Sequence, residues 1–366
     1  VLMSARAAPW VLVQVIQMLG AEAVPWVEDA VDEVLAALDQ FHGHEDVCDG
    51  LLAVLARLVA VLAPMQPPKE RIQPKMNSPI EDFKQWLEMY TTGTSRDESL
   101  ADSSVPDEEV NQDANPAPSR LQSVINEILI RCIPFLSHGS AYLRMRALDM
   151  LRDGVAILAP QERTAELYPV LDRAWPLILA RFGTSATSVS SNMECDVNVW
   201  IHAAGLVSTI SQHVSEGFGR RILKDIWPRW RQMLYTLCTD RSVQPRVMSR
   251  PEKSAVAKSA QVHLYNQHAI EGQVLFAILE ALASIASNIG QKMENAVLWD
   301  MATHPRLLDT LDIRQPGKIR NAGVTMYQSF IQADDMTLWT VLRAVAGQGA
   351  PWYLQRSIQW APEFTW

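Results

Sequence analysis

Residues 119–137 read SRLQSVINEILIRCIPFLS and residues 141–158 read AYLRMRALDMLRDGVAIL; these stretches, with the His138-Gly139-Ser140 break between them, decide the fold. In the first, Leu121, Val124, Ile125, Ile128, Leu129, Cys132, Phe135 and Leu136 recur at the three- and four-residue spacing that lines one face of an α-helix. In the second, Ala147, Leu148, Leu151, Val155 and Leu158 face inward and leave Arg144, Arg146 and Arg152 to solvent. So short a break folds the second helix back on the first, and the building unit is an antiparallel helix pair.

The same period extends in both directions. Residues 166–182 form a third helix, with Leu167, Val170, Leu171, Trp175, Ile178, Leu179 and Phe182 on its apolar face, and residues 217–238 form another. Sustained strict alternation is not found, so no sheet is expected. Pro134, Pro176 and Pro228 each stand late in an amphipathic helix, 42 and 52 residues apart. The first spacing matches a HEAT or armadillo unit of roughly 40 to 47 residues, and the Ser/Thr-rich insert at 184–192 accounts for the longer second one. The paired helices also start alike: Arg146-Ala147, His202-Ala203 and Asn321-Ala322 each place a basic or polar residue before a small one that admits a neighbouring helix. The expected fold is all-α, a HEAT/armadillo-like α-solenoid of antiparallel helix pairs interrupted by a disordered acidic loop.

The charge is concentrated. The formal net charge is −9, and residues 66–118 carry eleven acids against five bases, two thirds of the imbalance. Residues 79–90 (PIEDFKQWLEMY) align Phe83, Trp86, Leu87 and Tyr90 as a short helix after a proline. Residues 91–118 have too little to bury to offset the entropy of ordering them. The expected organisation is N-terminal helical repeats at 1–90, a disordered acidic loop at 91–118, HEAT-type repeats at 119–347 and an aromatic tail or cap at 348–366. The sequence opens at Val1 without a signal-peptide pattern, and it reads as a fragment of a longer cytoplasmic, also nuclear, protein. No membrane span is expected, since the run at 51–64 falls short of ~20 residues. Cys48, Cys132, Cys195 and Cys238 form no CxxC pair and read as buried reduced thiols.

Several strings are more particular than helical periodicity. FHGHE at 41–45 with GLLAVL at 50–55, RCIPFLSH at 131–138 with Leu143-Arg144 and Ala147-Leu148-Asp149, Trp175-Pro176, and RRILKDIWP at 220–228 together resemble the C-terminal half of the Tel-two-interacting protein one family, from about residue 11 to about 332. The resemblance implies a HEAT-repeat scaffold subunit of the Triple-T co-chaperone complex. Its implied partners are a Tel-two-like subunit, a second Tel-two-interacting subunit, phosphatidylinositol-3-kinase-related kinases of the mTOR, ATM and ATR type, and the ninety-kilodalton heat-shock chaperone machinery. Maturation of those kinases is the implied role. The alternative is a helical-repeat nuclear transport receptor or phosphatase scaffold.

Chemistry finds little support. His42, His44, Asp46 and Cys48 lack a second cluster to complete a metal site and fall where a helix turn is expected. His263 and His268 are five apart and do not share a helical face. GxGxxG, Walker and GxSxG motifs are absent, and Gly217-Phe218-Gly219 is a weak phosphate cradle. No enzyme, cofactor or metal is expected. The candidates are partner-binding residues: Arg220, Lys224 and Arg231 as a basic stripe for an acidic segment, and Trp352, Tyr353, Trp360 and Trp366, with Phe364, as a tail that caps the array or meets a partner. An acidic chain argues against nucleic acid. Trp175, Trp200, Trp227 and Trp230 lie on or beside apolar stripes and read mostly as core. Ser95, Ser99 and Ser104, each with an acid three residues on, fit an acid-directed kinase.

Because long loops cost little extra closure entropy, deleting residues 91–118 should leave the melting temperature almost unchanged in a thermal scan. A loss of several degrees would show that the segment packs against the fold.

Overall fold

The computed structural model describes residues 2–62, 120–161, 164–182, 193–236 and 264–334. The chain divides into two compact units; every described residue falls in the one made of Val1–Met65 and Ser119–Trp366, while Gln66–Pro118 lies outside the described residues. Also outside are the helix at 79–90, the acidic loop with Ser95, Ser99 and Ser104, the insert at 184–192, His263, Cys238, and the tail with Trp352, Tyr353, Trp360, Phe364 and Trp366. Among the described residues every regular element is helical and no strand occurs. The fold is an all-α helical-repeat solenoid.

Its helices are α1 (Leu2–Leu19), α2 (Val27–Phe41), α3 (Glu45–Leu62), α4 (Arg120–Cys132), α5 (Ala141–Leu158), α6 (Thr164–Arg181), α7 (Met193–His213), α8 (Ser215–Arg221), α9 (Trp227–Thr236), α10 (Ile270–Ile289), α11 (Asn295–Ala302), α12 (Pro305–Leu308) and α13 (Gly317–Ala333). They form two layers. In the inner row α1, α3, α5, α7, α10 and α13 stack in that order, each on the one before. The outer layer holds α2, α4, α6, α8 with α9, and α11 with α12; α2 packs on α4 and α4 on α6.

A row helix has neighbours on both sides and must be apolar on both. In α5 the expected face (Ala147, Leu148, Leu151, Val155, Leu158) is fully buried, and so are Leu143 and Met150 beyond it. Gly154 completes the fit, since a Cβ there would come within 2.5 Å of Leu129 on α4. The double coverage changes the reading of α5's arginines. Arg146 reaches Asp49 on α3 at 3.3 Å, and Arg152 reaches Asp149 at 3.0 Å and Asp153 at 3.2 Å. They are half-buried ion-paired groups rather than solvent-facing ones. The polar-then-Ala starts gain a meaning as well: His202, before the buried Ala203, lies 2.7 Å from Asp149, as Arg146 lies against Asp49. Further along the row, Ser211 meets Ser284 and Ser287 meets Ser329, each at 3.0 Å.

The prolines break the α-ladder in different ways. Pro134 ends α4, and residues Ile133–Ser137 continue as a 3-10 turn rather than as α-helix. Pro169 and Pro176 stay inside α6. Ahead of Pro228 the chain takes a π turn, Ile222–Ile226, because proline cannot donate to the carbonyl four residues back and its ring pushes that carbonyl aside. The single helix expected over 217–238 is therefore, within its described residues, α8, a π turn and α9.

Two helical stretches, Arg6–Phe41 and Ile270–Ile289, have the length and apolarity to cross a membrane. The second is α10, whose apolar surface is used against α7 and α13. Truncating Leu148 to Ala should cost roughly 2 to 5 kcal/mol in denaturant unfolding, because the site is closed on all sides and cannot collapse around the void.

Candidate interaction surface

The outer layer around α6, α8, α9 and α11 carries the basic candidates, and its construction begins with tryptophan. Trp175, Trp200, Trp227 and Trp230 are all buried, as their stripes predict. Tyr168 stacks on Phe218 with centroids 6.0 Å apart, and Trp175 meets the same ring edge-on at 5.4 Å. Phe182 meets Trp200 at 5.4 Å and Trp230 at 5.7 Å.

Two of these indoles also point a polar edge at the next repeat. Trp175 Nε1 donates to Asp225 Oδ2 at 3.0 Å, and Trp227 Nε1 donates to Asp300 Oδ2 at 2.7 Å. Both tryptophans precede a proline, and both acceptors lie on the following outer element. The geometry repeats: an indole–carboxylate bond joins α6 to the π turn, and another joins α9 to α11. Sequence reading placed the tryptophans but not their acceptors. The available signal was the recurrence of Asp beside Trp, in Asp225-Ile226-Trp227 and Trp299-Asp300.

The basic residues divide. Arg220 and Lys224 are exposed and form no ion pair with another described residue. Arg231 is tied to Asp300 at 3.2 Å, beside the Trp227 bond. Arg221, which the spacing did not single out, pairs with Asp172 on α6 and lies over the Phe218 ring at 5.2 Å. Among the described residues, the surface thus presents two cations without an ion-pair partner on α8 and the π turn, next to two that pair with Asp172 and Asp300.

His304, at the start of α12, closes this region from beneath. Its ring packs edge-on against Trp227 at 6.0 Å and against Tyr235 at 4.6 Å, and neither ring nitrogen has a hydrogen-bond partner among the described residues. Burial, Arg231 and Arg306 draw its pKa down to about 4, with Asp300 opposing them.

Elsewhere, a cavity of about 420 Å³ opens between α7, the turn before α10, α10 and α13, with Ile201, His268, Phe276, Glu280 and Lys318 in its wall. Burial pushes the Glu280 carboxyl up while Lys318 pulls it down, and the Lys318 ammonium sits 4.0 Å from the centre of the Phe276 ring. The segment 42–48 is a helix turn, as expected, with the Cys48 and Val47 amides donating to His44 O. No cluster of metal-binding side chains occurs among the described residues. Cys48 and Cys132 are free, buried thiols whose pKa values burial raises.

A family model described as the TTI1 C-terminal TPR domain matches residues 54–339. A TELO2-interacting protein 1 homolog of Mus musculus is 21% identical over an alignment covering 92% of this chain and 30% of its own length. A homolog of the same description from Homo sapiens is 23% identical, with 91% of this chain and 30% of the relative covered. The chain therefore spans about 30% of the length of these relatives. No solved structure matches it.

His304 generates a pH prediction. Its folded pKa lies below the ordinary 6.5, so the native state holds the neutral ring and the unfolded chain takes up the proton first. The stability contribution is complete above about pH 6.5 and is lost as pH falls towards about 4, by about 3 kcal/mol at most. Urea titrations across that window should show the loss, and His304→Phe should flatten it.

Proposed function

The chain belongs to the TTI1 family through its C-terminal TPR domain, and on that premise we propose that it is a non-enzymatic scaffold that holds a Tel-two-like subunit and, through it, supports the maturation of phosphatidylinositol-3-kinase-related kinases with the ninety-kilodalton heat-shock chaperone. The observation that carries this reading is the family match over residues 54–339, which takes in the second half of α3 and every helix from α4 to α13. The name of the relatives, TELO2-interacting protein 1 homolog, supplies the partner. The second Tel-two-interacting subunit belongs to the same proposal.

The architecture supports a binding role. A stack of helix pairs offers a long surface set by repeat geometry, and exposed side chains on its outer elements can be exchanged without disturbing the core. Arg220 and Lys224 are such side chains. They face solvent on α8 and the π turn, whereas Arg221 and Arg231 are engaged with Asp172 and Asp300. We assign Arg220 and Lys224 to contact with an acidic partner segment and Arg231 to positioning the surface beneath them. The aromatic tail and phosphorylation of Ser95, Ser99 and Ser104 stay part of the proposal as further partner contacts.

The test is co-purification with a Tel-two-like subunit, comparing the chain with its Arg220→Glu, Lys224→Glu double variant. The variant should keep its melting temperature, since surface changes usually move stability by less than about 0.5 kcal/mol, and should bind more slowly with a flatter salt dependence. Binding unchanged at every salt concentration would remove the stripe from the interface. Failure of the unaltered chain to bind at all would overturn the proposed partner.

A further inference from the structure

Two junctions of the inner row are closed by a polar side chain that precedes a buried alanine. Arg146, before Ala147, reaches Asp49 on α3, and His202, before Ala203, reaches Asp149 on α5. At the next junction both halves of that contact are replaced. The residue before the buried Ala277 of α10 is Phe276, and three residues after His202, where α5 has Asp149 after Arg146, α7 has Gly205. A Cβ on Gly205 would meet nothing within 4 Å. The C-terminal halves of these helices stay joined, Ser211 to Ser284 and Ser287 to Ser329. Toward the N-terminal half of α10, where Phe276 stands in for the polar contact, the cavity of about 420 Å³ opens between α7, α10 and α13.

The wall of this cavity is rich in acceptors and already holds a cation. Gln267 Nε2 is engaged with His268 Nε2 at 3.0 Å, and Gln273 Nε2 donates to His268 O at 3.3 Å. The carbonyl oxygens of both amides are left without a partner among the described residues. Glu280 lies one helical turn beyond Phe276, and it forms no ion pair with another described residue; Lys318 attracts it only from a distance, while burial opposes its charge. The Lys318 ammonium sits instead 4.0 Å from the centre of the Phe276 ring, which shows that this aromatic face accepts positive charge. A carboxylate, two amide oxygens and a cation-accepting ring together match a guanidinium, which has five donors in one plane, stacks on aromatic faces and sheds its water more readily than an ammonium does. A carboxylate guest would meet Glu280 and the same two oxygens as repulsive neighbours, with the Lys318 and His268 side chains alone in the wall to receive it.

We propose that this cavity binds an arginine side chain within an extended peptide segment of a partner protein, its guanidinium paired with Glu280 and stacked on Phe276 in place of the Lys318 ammonium. Lys318 is exposed, so its charge passes to water when the arginine enters. Ile201 and Ile319 flank the site and pack against the arginine methylenes. The volume lies within the range of about 300–1,000 Å³ usual for ligand pockets and is larger than one side chain needs, so neighbouring residues of the peptide enter with the arginine. The formal net charge of −9 draws such a basic segment towards the chain. The inference uses neither the proposed partner nor the Arg220–Lys224 surface, which lies in the outer layer and suits an acidic segment, so the pull-down above can fail without affecting it.

The experiment follows the isoleucine methyl resonances of the whole chain by NMR during titration with the capped peptide acetyl-Ala-Ala-Arg-Ala-Ala-amide, and with the same peptide carrying citrulline or glutamate at its centre. The arginine peptide should shift the Ile201 and Ile319 methyls. Citrulline keeps the shape of arginine without its charge and should bind at least about tenfold more weakly. Glu280→Gln should weaken the arginine peptide about tenfold and leave the melting temperature unchanged. Lys318→Ala should strengthen it severalfold, since no internal cation then competes for the ring; a side chain that only supported the fold would give no such gain. Methyls that stay in place at millimolar arginine peptide would overturn the proposal, and so would equal binding of the citrulline peptide. A preference for the glutamate peptide that disappears in Lys318→Ala would also overturn it, giving the cavity to an acidic segment.

Discussion

A helix in the inner row must be apolar on two opposite faces at once, and the rest of the structure follows from meeting that demand. α5 and α10 meet it with nearly continuous buried surface: Leu143, Leu148 and Met150 in α5, Val274, Leu275, Ile278 and Leu282 in α10. With two faces occupied, polar side chains are left only narrow strips, and there they find partners across the row. Asp49 with Arg146, Asp149 with His202 and Ser211 with Ser284 each bridge successive row helices. Such half-exposed contacts add little energy individually. Their effect is to favour one register of helix on helix, which apolar surface alone specifies weakly.

The outer layer solves the same problem with fewer, larger groups. Its elements are broken by turns and prolines, and aromatic rings fill the irregular gaps between them. An indole suits this place because its body is apolar and its nitrogen donates one directed bond. Trp175 and Trp227 use both properties, burying the ring and aiming the N–H at Asp225 and Asp300. Asp300 also receives Arg231, so one carboxylate joins α9 to α11 through two donors. Trp200 and Trp230 contribute packing alone; their nitrogens are buried with no described partner, among Phe182 and each other.

Local patterns carried the helix pairs, and contacts between distant residues carried what local patterns missed. The bounds of α5 and the burial of its named face could be read directly, because an 18-residue amphipathic stretch bounded by Gly139-Ser140 has one helical solution. Arg146 was misread because the acid that holds it lies 97 residues earlier. The division of residues 217–238 was hidden by the assumption of a constant 3.6-residue turn, which Pro228 breaks. Of the basic stripe, Arg220 and Lys224 stand where spacing placed them, while Arg231 is occupied by an Asp that no spacing rule connects to it. His304 gave no signal at all, since an isolated histidine near a proline is an ordinary surface residue until Trp227 and Tyr235 close over it.

The π turn at Ile222–Ile226 bears on how this chain tolerates change in length. It holds α8 and α9 at a fixed angular offset, with Phe218 against Tyr168 on one side and Trp230 against Phe182 on the other. Removing one residue there would rotate α9 by about 100° about the helix axis relative to α8 and carry Trp227, Trp230 and Arg231 away from Asp300 and the aromatic cluster together. An insertion of the same size between two helix pairs would lengthen a surface turn and leave every face in place. Across related sequences, gaps should therefore collect at the turns between helices, and the few residues from Ile222 to Pro228 should keep their number even where their identities drift.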